Sequence, residues 1–411
     1  MQRLSFRPAI LVISCLLLTL QGFAQSAWVP GEVLVLLKKD ARISDVQREL
    51  LAVMPARMAI KEAKPLGKES RYHKIVVEGA GVPDKDFEKL IARMQGVEAT
   101  SLNYRLKFYA EPNDAQYGTQ WNMDDINVEA VWDFTTGGTM ANGKRIGVGI
   151  SDEAIQTDHP DLEDNIWPNS PAQTGASEHG TEVASVVGAV GNNALGIAGV
   201  NWDVEILSGT DLSDLSEVVE QFELAISLRE QFNNTNGASG LMVVSMTASW
   251  GSDNGEACNG FSFPLFAEMA DAGIILVASG PNEPISIESG TDFPANCALA
   301  EHLVVTSYGP SNETPYAFGP NTVHLLAPGV EIPVATTTNA FAVVDGNSFA
   351  IPTVAGAIAL LYSIPCQGFA QLVMDDPVAA RTMVKNAILN NTAPFPGGEA
   401  LTMTGGKLDV F

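Results

Sequence analysis

Positive charge is scarce in this chain: 411 residues carry 23 Lys and Arg against 48 Asp and Glu, a formal net charge of −25. A field of that sign repels phosphates, which argues against a nucleic-acid partner. Charged residues of both signs reach only 17%, beside 46% hydrophobic residues. That balance excludes a disordered, collagen-like or coiled-coil chain. Internal repeats and low-complexity tracts are missing, and nothing among the five His and four Cys suggests a transition-metal site. The one long apolar run, Ala9 to Leu20, follows Arg3 and Arg7 and precedes Gly22-Phe23-Ala24. This reads as an export signal over residues 1–24, cleaved after Ala24. The run is too short to span a bilayer comfortably and no second one follows, so the expectation is a secreted soluble protein, extracellular or periplasmic, with no membrane attachment after cleavage. Cys15 leaves with the signal, and an anchor through it is poorly placed. Cys258, Cys297 and Cys366 remain, which allows one pair and one further thiol in an oxidising compartment. A Cys258–Cys297 pair would close about 40 residues and contribute roughly 4 kcal/mol, but the pairing stays open at this stage.

The charge is unevenly spread. Residues 1–112 hold 17 basic and 12 acidic side chains, and residues 113–411 hold 6 and 36. A solvated acidic surface is the common meaning of such a bias; mutual attraction of the two parts is the sharper one. In the basic part, strands at Glu32–Leu37, His73–Glu78 and Val97–Phe108 alternate with helical spacing at Ile43–Met54 and Lys85–Met94. This β-α-β-α-β order suits a small two-layer α+β domain over residues 25–110. Glu111 to Thr119 reads as a polar linker. Beyond it, short β-branched runs at Ile146–Ile150, Val204–Leu207, Leu241–Met246, Ile274–Val277 and Leu303–Thr306 alternate with helical stretches at Leu215–Phe232, Phe263–Ala272, Phe349–Tyr362 and Val378–Leu389. The expected fold for residues 111–411 is α/β, a mostly parallel sheet covered on both faces, with functional groups at the carboxyl ends of its strands.

Three loci could carry chemistry there. Asp152 ends the strand IGVGIS, where it could orient an imidazole, although an Asp after a strand is more often a turn or cap. His179 precedes Gly180 at the start of an apolar helical stretch, and Gly180 permits a close approach of backbone or substrate; a lone surface His is the bland alternative. Ser348 opens the stretch leading into TVAGAIALLY, where helix N–H groups favour a developing oxyanion, though a Ser before a helix is usually an N-cap. Pro352 suits a first helical turn. Together they supply orienter, base and nucleophile in the order Asp, His, Ser.

In ISDEAIQTDHPDL, HGTEVASVVGAV and GNSFAIPTVAGAIAL, the chain resembles the subtilisin-like serine proteases (subtilases), with LLAPGVEI and GKLDVF as further landmarks and coverage from about Asn113 to Phe411. The resemblance implies a three-layer α/β/α subtilisin-like catalytic domain, preceded by a small α+β propeptide domain whose opening VPGEVLVLL and later GVEATSLNYRL are similar to the family's inhibitory propeptide. The expected product is a secreted serine endopeptidase made as a zymogen, acting as a monomer on proteins or peptides, with its own propeptide as an intramolecular inhibitor drawn to it by charge. The resemblance makes Ser348 the nucleophile, His179 the base, Asp152 its orienter and Asn282 the oxyanion donor, together with the Ser348 N–H. It places substrate along Ser249-Trp250-Gly251, with Ala278-Ser279-Gly280 on the other side of the primary pocket. Cys258 and Cys297 flank these segments, which supports pairing them. It also implies a structural Ca²⁺ held by Asp161, Asn193 and the carbonyls of Gly191, Leu195 and Ile197, with Asp114 adding a carboxylate; an Asn-rich turn is the plain alternative.

The chain departs from the family pattern at four positions. Glu153 follows Asp152, and Ala154 stands where the family has Gly, so the turn there is expected to differ. Asn347 replaces Thr before the nucleophile, keeping polarity but altering local hydrogen bonds. Pro281 precedes Asn282 and is expected to displace the oxyanion amide. A catalytically weak homologue that binds peptides is therefore the rival reading. An esterase or lipase is a third, and it lacks the Gly-x-Ser-x-Gly elbow. ASWGSDNGEA resembles the kexin-like branch, which cleaves after basic residues; broad specificity is the expectation, with a basic preference as the variant to test.

Overall fold

A computed structural model describes residues 28–411 except 56, 69, 80–83, 105–109, 174, 210–211, 253–261, 290–291 and 298–301. The expected export signal and its cleavage point, Cys15 and Cys258 lie outside the described residues. The described residues form two compact units, 28–104 and 110–411.

The first unit comprises β1 (Trp28–Leu37), α1 (Ile43–Val53), β2 (Met58–Pro65), β3 (Tyr72–Gly79), α2 (Asp84–Ala92) and β4 (Val97–Tyr104). Its antiparallel sheet has the order β2-β3-β1-β4. Along β1, Val33, Val35 and Leu37 alternate inward and meet Val46 and Leu50 of α1 and Phe87 and Ile91 of α2, the period-2 and i,i+4 patterns of two packed layers. The expected order lacked β2. That strand, MAIKEAKP, lies at the sheet edge and buries only Met58, so it carries no apolar alternation by which to read it.

The second unit comprises α3 (Trp121–Asp125), α4 (Val128–Trp132), β5 (Ile146–Ser151), α5 (Glu178–Gly188), β6 (Glu205–Ser208), α6 (Leu215–Asn234), β7 (Met242–Ala248), α7 (Ser262–Ala272), β8 (Ile275–Ser279), β9 (Leu303–Tyr308), β10 (Leu325–Pro328), β11 (Ile332–Thr336), β12 (Ala340–Val344), α8 (Asn347–Tyr362), α9 (Gln367–Asp375), α10 (Pro377–Asn390), β13 (Ala393–Pro394) and β14 (Gly406–Lys407). The main sheet runs β13-β14-β10-β9-β8-β7-β5-β6, parallel except for the β13–β14 pair; β11 and β12 form a separate hairpin. Both sheet faces are covered, which explains why β5, β7, β8 and β9 are buried at every position rather than alternately. On one face Ser245 of β7 donates to the Ala355 carbonyl of α8 at 3.0 Å. On the other, Met246 and Ala248 join Phe222 and Ile226 of α6 and Leu265 and Phe266 of α7 in a single apolar cluster. The result is the expected three-layer α/β arrangement. Helix α6 starts with a capping box between Asp214 and Glu217, which satisfies N–H groups the first turn leaves open. No single helix among the described residues is long and apolar enough to cross a membrane.

Candidate active site

Strands β8, β7 and β5 are neighbours in the sheet, so their carboxyl ends bring three loops together: Gly280–Asn282, Ser249–Gly251 and Asp152. Asp152 is almost fully buried. Its Oδ1 accepts hydrogen bonds from His179 Nδ1 at 2.7 Å and from the Glu153 N–H at 2.8 Å. Its Oδ2 is buried without a hydrogen-bond donor among the described residues. His179 is the second residue of α5. The helix reaches Asp152 because Gly180 lies against the preceding loop: a Cβ there would fall 2.1 Å from the Glu153 carbonyl oxygen. Ala154 is buried and outside the left-handed region, so the turn accommodates it without strain.

Burial opposes charge on the His179 imidazole, but the bond to Asp152 and the charges of Asp152, Glu182 and Glu153 outweigh it, and the pKa stands above its ordinary value. Burial pushes the Asp152 carboxyl upward, while the bond to His179 pulls it back.

Ser348 is the second residue of α8, where its N–H has no intrahelical acceptor. Its hydroxyl points to the Ser249 carbonyl at 3.5 Å, the outer limit of a hydrogen bond, and makes none to His179. Pro352 lies in the second turn of α8 rather than the first, since the helix already begins at Asn347. Proline there supplies no N–H for the Ser348 carbonyl four residues earlier, and that carbonyl instead accepts the Ser249 hydroxyl at 3.1 Å.

A cavity of about 220 Å³ opens beside Ser348, lined by Ser249, Trp250, Gly251, Ser279, Gly280, Pro281, Asn282, Asp292 and Asn347. Trp250 is fixed by a bond from Nε1 to Ser151 Oγ at 3.1 Å and by packing on Phe222 and Phe293. Ala278 does not line the cavity. It lies in the apolar cluster with Leu276 and Phe293, because successive residues of β8 face opposite sides and Ser279 takes the pocket side.

Asn282 borders the cavity despite the Pro281 that precedes it. Asn282 Oδ1 accepts the Asn347 N–H at 2.8 Å, and the loop is clamped from α8. Asn347 Nδ2 donates to the carbonyls of Gly280 at 3.0 Å and Pro281 at 3.1 Å, while its Oδ1 accepts the Ser307 N–H at 2.9 Å. Sequence reasoning treated Asn347 only as a polar replacement for Thr. Its binding role depends on residues 40 and more positions away, which no local pattern displays.

A Subtilase family model matches residues 143–404. This chain belongs to the subtilase family. It is 26% identical over 327 residues to "Subtilisin-like protease 2" of Plasmodium falciparum, covering 72% of this chain but only 22% of that relative. It is also 26% identical over 363 residues to "Thermophilic serine proteinase" of Bacillus sp. (strain AK1), covering 82% of this chain and 79% of the relative. Among solved structures, a protease from Pseudoalteromonas arctica shares the fold with a TM-score of 0.55 at 19% identity, covering 73% of this chain and 98% of that one.

In this subtilase, Asp161 is fully buried. Its carboxylate accepts from Asn193 Nδ2 at 2.8 Å and from the Ile197 N–H at 3.0 Å, and Asn193 Oδ1 accepts the Leu195 N–H at 2.7 Å. Asp114 Oδ2 accepts the Asn192 N–H at 2.6 Å, while its Oδ1 is buried with no hydrogen-bond donor among the described residues. Burial raises both carboxyls, Asp161 to about 6, with the charge of Asp114 adding to the effect. Two desolvated carboxylates beside a carbonyl-rich loop are a hard-oxygen set that fits Ca²⁺. Among the described residues no group of three or more His, Cys, Asp or Glu could hold a metal ion, so carbonyl oxygens must complete any such site. Cys297 is disulfide-bonded; its expected partner Cys258 is outside the described residues. Cys366 is buried and its sulfur accepts the Phe369 N–H at 3.4 Å.

Proposed function

We propose that this chain is a secreted serine endopeptidase made as a zymogen. The observation that carries the reading is the 2.7 Å bond from His179 to buried Asp152, in a site where Ser348 and Asn282 border one cavity. In this mechanism the Ser348 hydroxyl turns from the Ser249 carbonyl toward His179, which takes its proton as the oxygen attacks the scissile carbonyl. Asp152 holds the imidazole in one tautomer and stabilises the imidazolium. The oxyanion receives hydrogen bonds from Asn282 Nδ2 and the Ser348 N–H at the positive end of α8. His179 then returns the proton to the leaving amine, and water releases the acyl group by the reverse sequence. Substrate adds as a strand along Ser249–Gly251, with Ser279 and Gly280 opposite.

A bound Ca²⁺ would neutralise the carboxylates of Asp161 and Asp114. The carbonyls of Gly191, Leu195 and Ile197 would complete its ligands, with Asn193 joining them through an Oδ1 that here accepts the Leu195 N–H, and the ion would hold this loop rather than take part in the reaction. The basic first unit acts as the inhibitory propeptide of the acidic second one, a reading supported by the charge division of the sequence.

The test is intact-mass analysis of residues 25–411 beside the Ser348→Ala form, with and without calcium. Cleavage near residues 107–116 in the wild type alone is the expected result. If neither folded form is cut and neither hydrolyses peptides, the chain is a peptide-binding homologue instead. That second reading draws on the Ser348 hydroxyl facing Ser249 rather than His179.

A further inference from the structure

Strand β5, IGVGIS, carries one polar side chain, Ser151, which is fully buried at the strand's carboxyl end and immediately precedes Asp152. A hydroxyl in such a place needs a partner. Ser151 Oγ accepts the Trp250 indole N–H at 3.1 Å, and since an indole nitrogen only donates, the direction of the bond is fixed. The pairing of β7 with β5 ends at Ala248 opposite Ser151, and its pairing with β8 ends at the same residue, opposite Ala278. Past Ala248 the Ser249–Gly251 segment leaves both ladders, and side chains hold it instead. Ser249 Oγ donates to the Ser348 carbonyl at 3.1 Å, and the bridge between Ser252 and Phe293 fixes the far end. Between these points the Trp250 ring packs on Phe222 and Phe293, with centroids 6.3 and 5.8 Å away, and its N–H ties the segment to the strand that carries Asp152.

We propose that Ser151 is a positioning residue for peptide hydrolysis: by accepting the Trp250 N–H it holds the Ser249–Gly251 edge in fixed relation to the Asp152–His179 pair, so that an extended peptide presents its scissile carbonyl to Ser348. The inference deepens the peptidase reading and rests on it for its kinetic consequence. Orienter and substrate edge lie on loops that leave different strands, and this bond joins them where the sheet no longer does. Removing the Ser151 hydroxyl strands a half-buried indole N–H, which turns toward water and carries the edge with it. A displacement of about 1 Å in a bound peptide costs up to about 100-fold in rate. A substrate of one residue hardly uses the edge, so its hydrolysis is indifferent to that displacement.

The experiment expresses the full chain and compares kcat/KM per titrated active site for two substrates: a tetrapeptide p-nitroanilide ending in Phe or Arg, and the N-acetyl p-nitrophenyl ester of that last residue alone. In Ser151→Ala the peptide value should fall about tenfold or more while the ester value stays within about twofold, and Ser151→Thr, which keeps the hydroxyl, should restore the peptide value to within about threefold. Trp250→Phe should show the same selective loss, and adding Ser151→Ala to it should cost no more than about twofold further, because the bond is already gone. Trp250→Phe leaves no stranded donor and carries the test if Ser151→Ala does not fold. An unchanged peptide-to-ester ratio in the folded variants, or losses that multiply in the double variant, overturns the positioning role and leaves the peptidase reading intact. Absence of turnover on both substrates in the wild type overturns the peptidase reading instead. Fluorescence anisotropy of a fluorescein-labelled tetrapeptide on the full chain then decides the role of Ser151: binding about tenfold weaker in Ser151→Ala keeps it, and equal binding, or none in either form, overturns it.

Discussion

Replacing Asn347 by Ala tests whether α8 and the Gly280–Asn282 loop, proposed above to supply the oxyanion donor, act as one unit. Asn347 is 1% exposed, and its side chain makes three bonds, to the Gly280 and Pro281 carbonyls and from the Ser307 N–H. The two carbonyls keep other donors, Ser279 Oγ at 3.1 Å and the Ala317 N–H at 3.3 Å. The Ser307 N–H, buried within β9, is left stranded. One orphaned buried donor costs about 1–3 kcal/mol and each of the two other lost bonds about 1 kcal/mol, so the expected destabilisation is roughly 3–5 kcal/mol. The Asn347 N–H still reaches Asn282, but the loop loses its side-chain clamp. The oxyanion amide should lose orientation, lowering kcat by about 10- to 100-fold with less change in KM. Guanidinium unfolding in a Ser348→Ala background, which prevents self-digestion, measures the first quantity, and a shift in midpoint at constant slope identifies it as native-state stability. Active-site-titrated kinetics with Ser348 present measure the second. A stability change below about 1 kcal/mol together with kcat within threefold would refute the clamp.

Three further outcomes follow from the same geometry. His179 must be neutral to act as base and Asp152 raises its pKa; activity should therefore fall as pH drops through a value above that of an ordinary His. Asp152→Asn should move this fall to lower pH while reducing kcat about 10⁴-fold, and a pH profile that keeps its acid limb contradicts the assignment. Gly180→Ala drives a methyl against the Glu153 carbonyl, with an expected loss of about 3 kcal/mol or more; thermal unfolding within 2 °C of wild type would show that the loop yields freely. Calcium at about 100 times its dissociation constant should stabilise the chain by about 2.7 kcal/mol, and Asp161→Ala should abolish the increment. An equal rise in melting temperature in that variant would move the ion elsewhere.

Much of this architecture can be read without coordinates. The strands of the main sheet are apolar, β-branched and short, and the helices between them have the length and spacing to cover it, so local pattern suffices for the layer order. Three chemical residues are legible for a related reason. Asp152, His179 and Ser348 each stand where a strand ends or a helix begins, and such junctions leave their mark in neighbouring glycines and apolar runs. Edge elements are less readable: β2 has no buried alternation, and β13 and β14 are two residues each, stabilised by the strands beside them rather than by their own composition.

What tertiary structure alone decided is the set of contacts between loops distant in the chain. Ala278 and Ser279 are adjacent in sequence, yet one belongs to the core and the other to the pocket, because the strand's pleat sends them to opposite faces. Pro281 looked disruptive on backbone grounds, but its carbonyl and that of Gly280 are held by Asn347, whose reach across from α8 depends on how the helix packs on the sheet. Asp292 becomes a pocket residue only through the pairing of Ser252 with Phe293. Periodicity and local chain stiffness act over a few residues and so are written in the sequence; hydrogen bonds between loops depend on distances that exist only after the layers have packed.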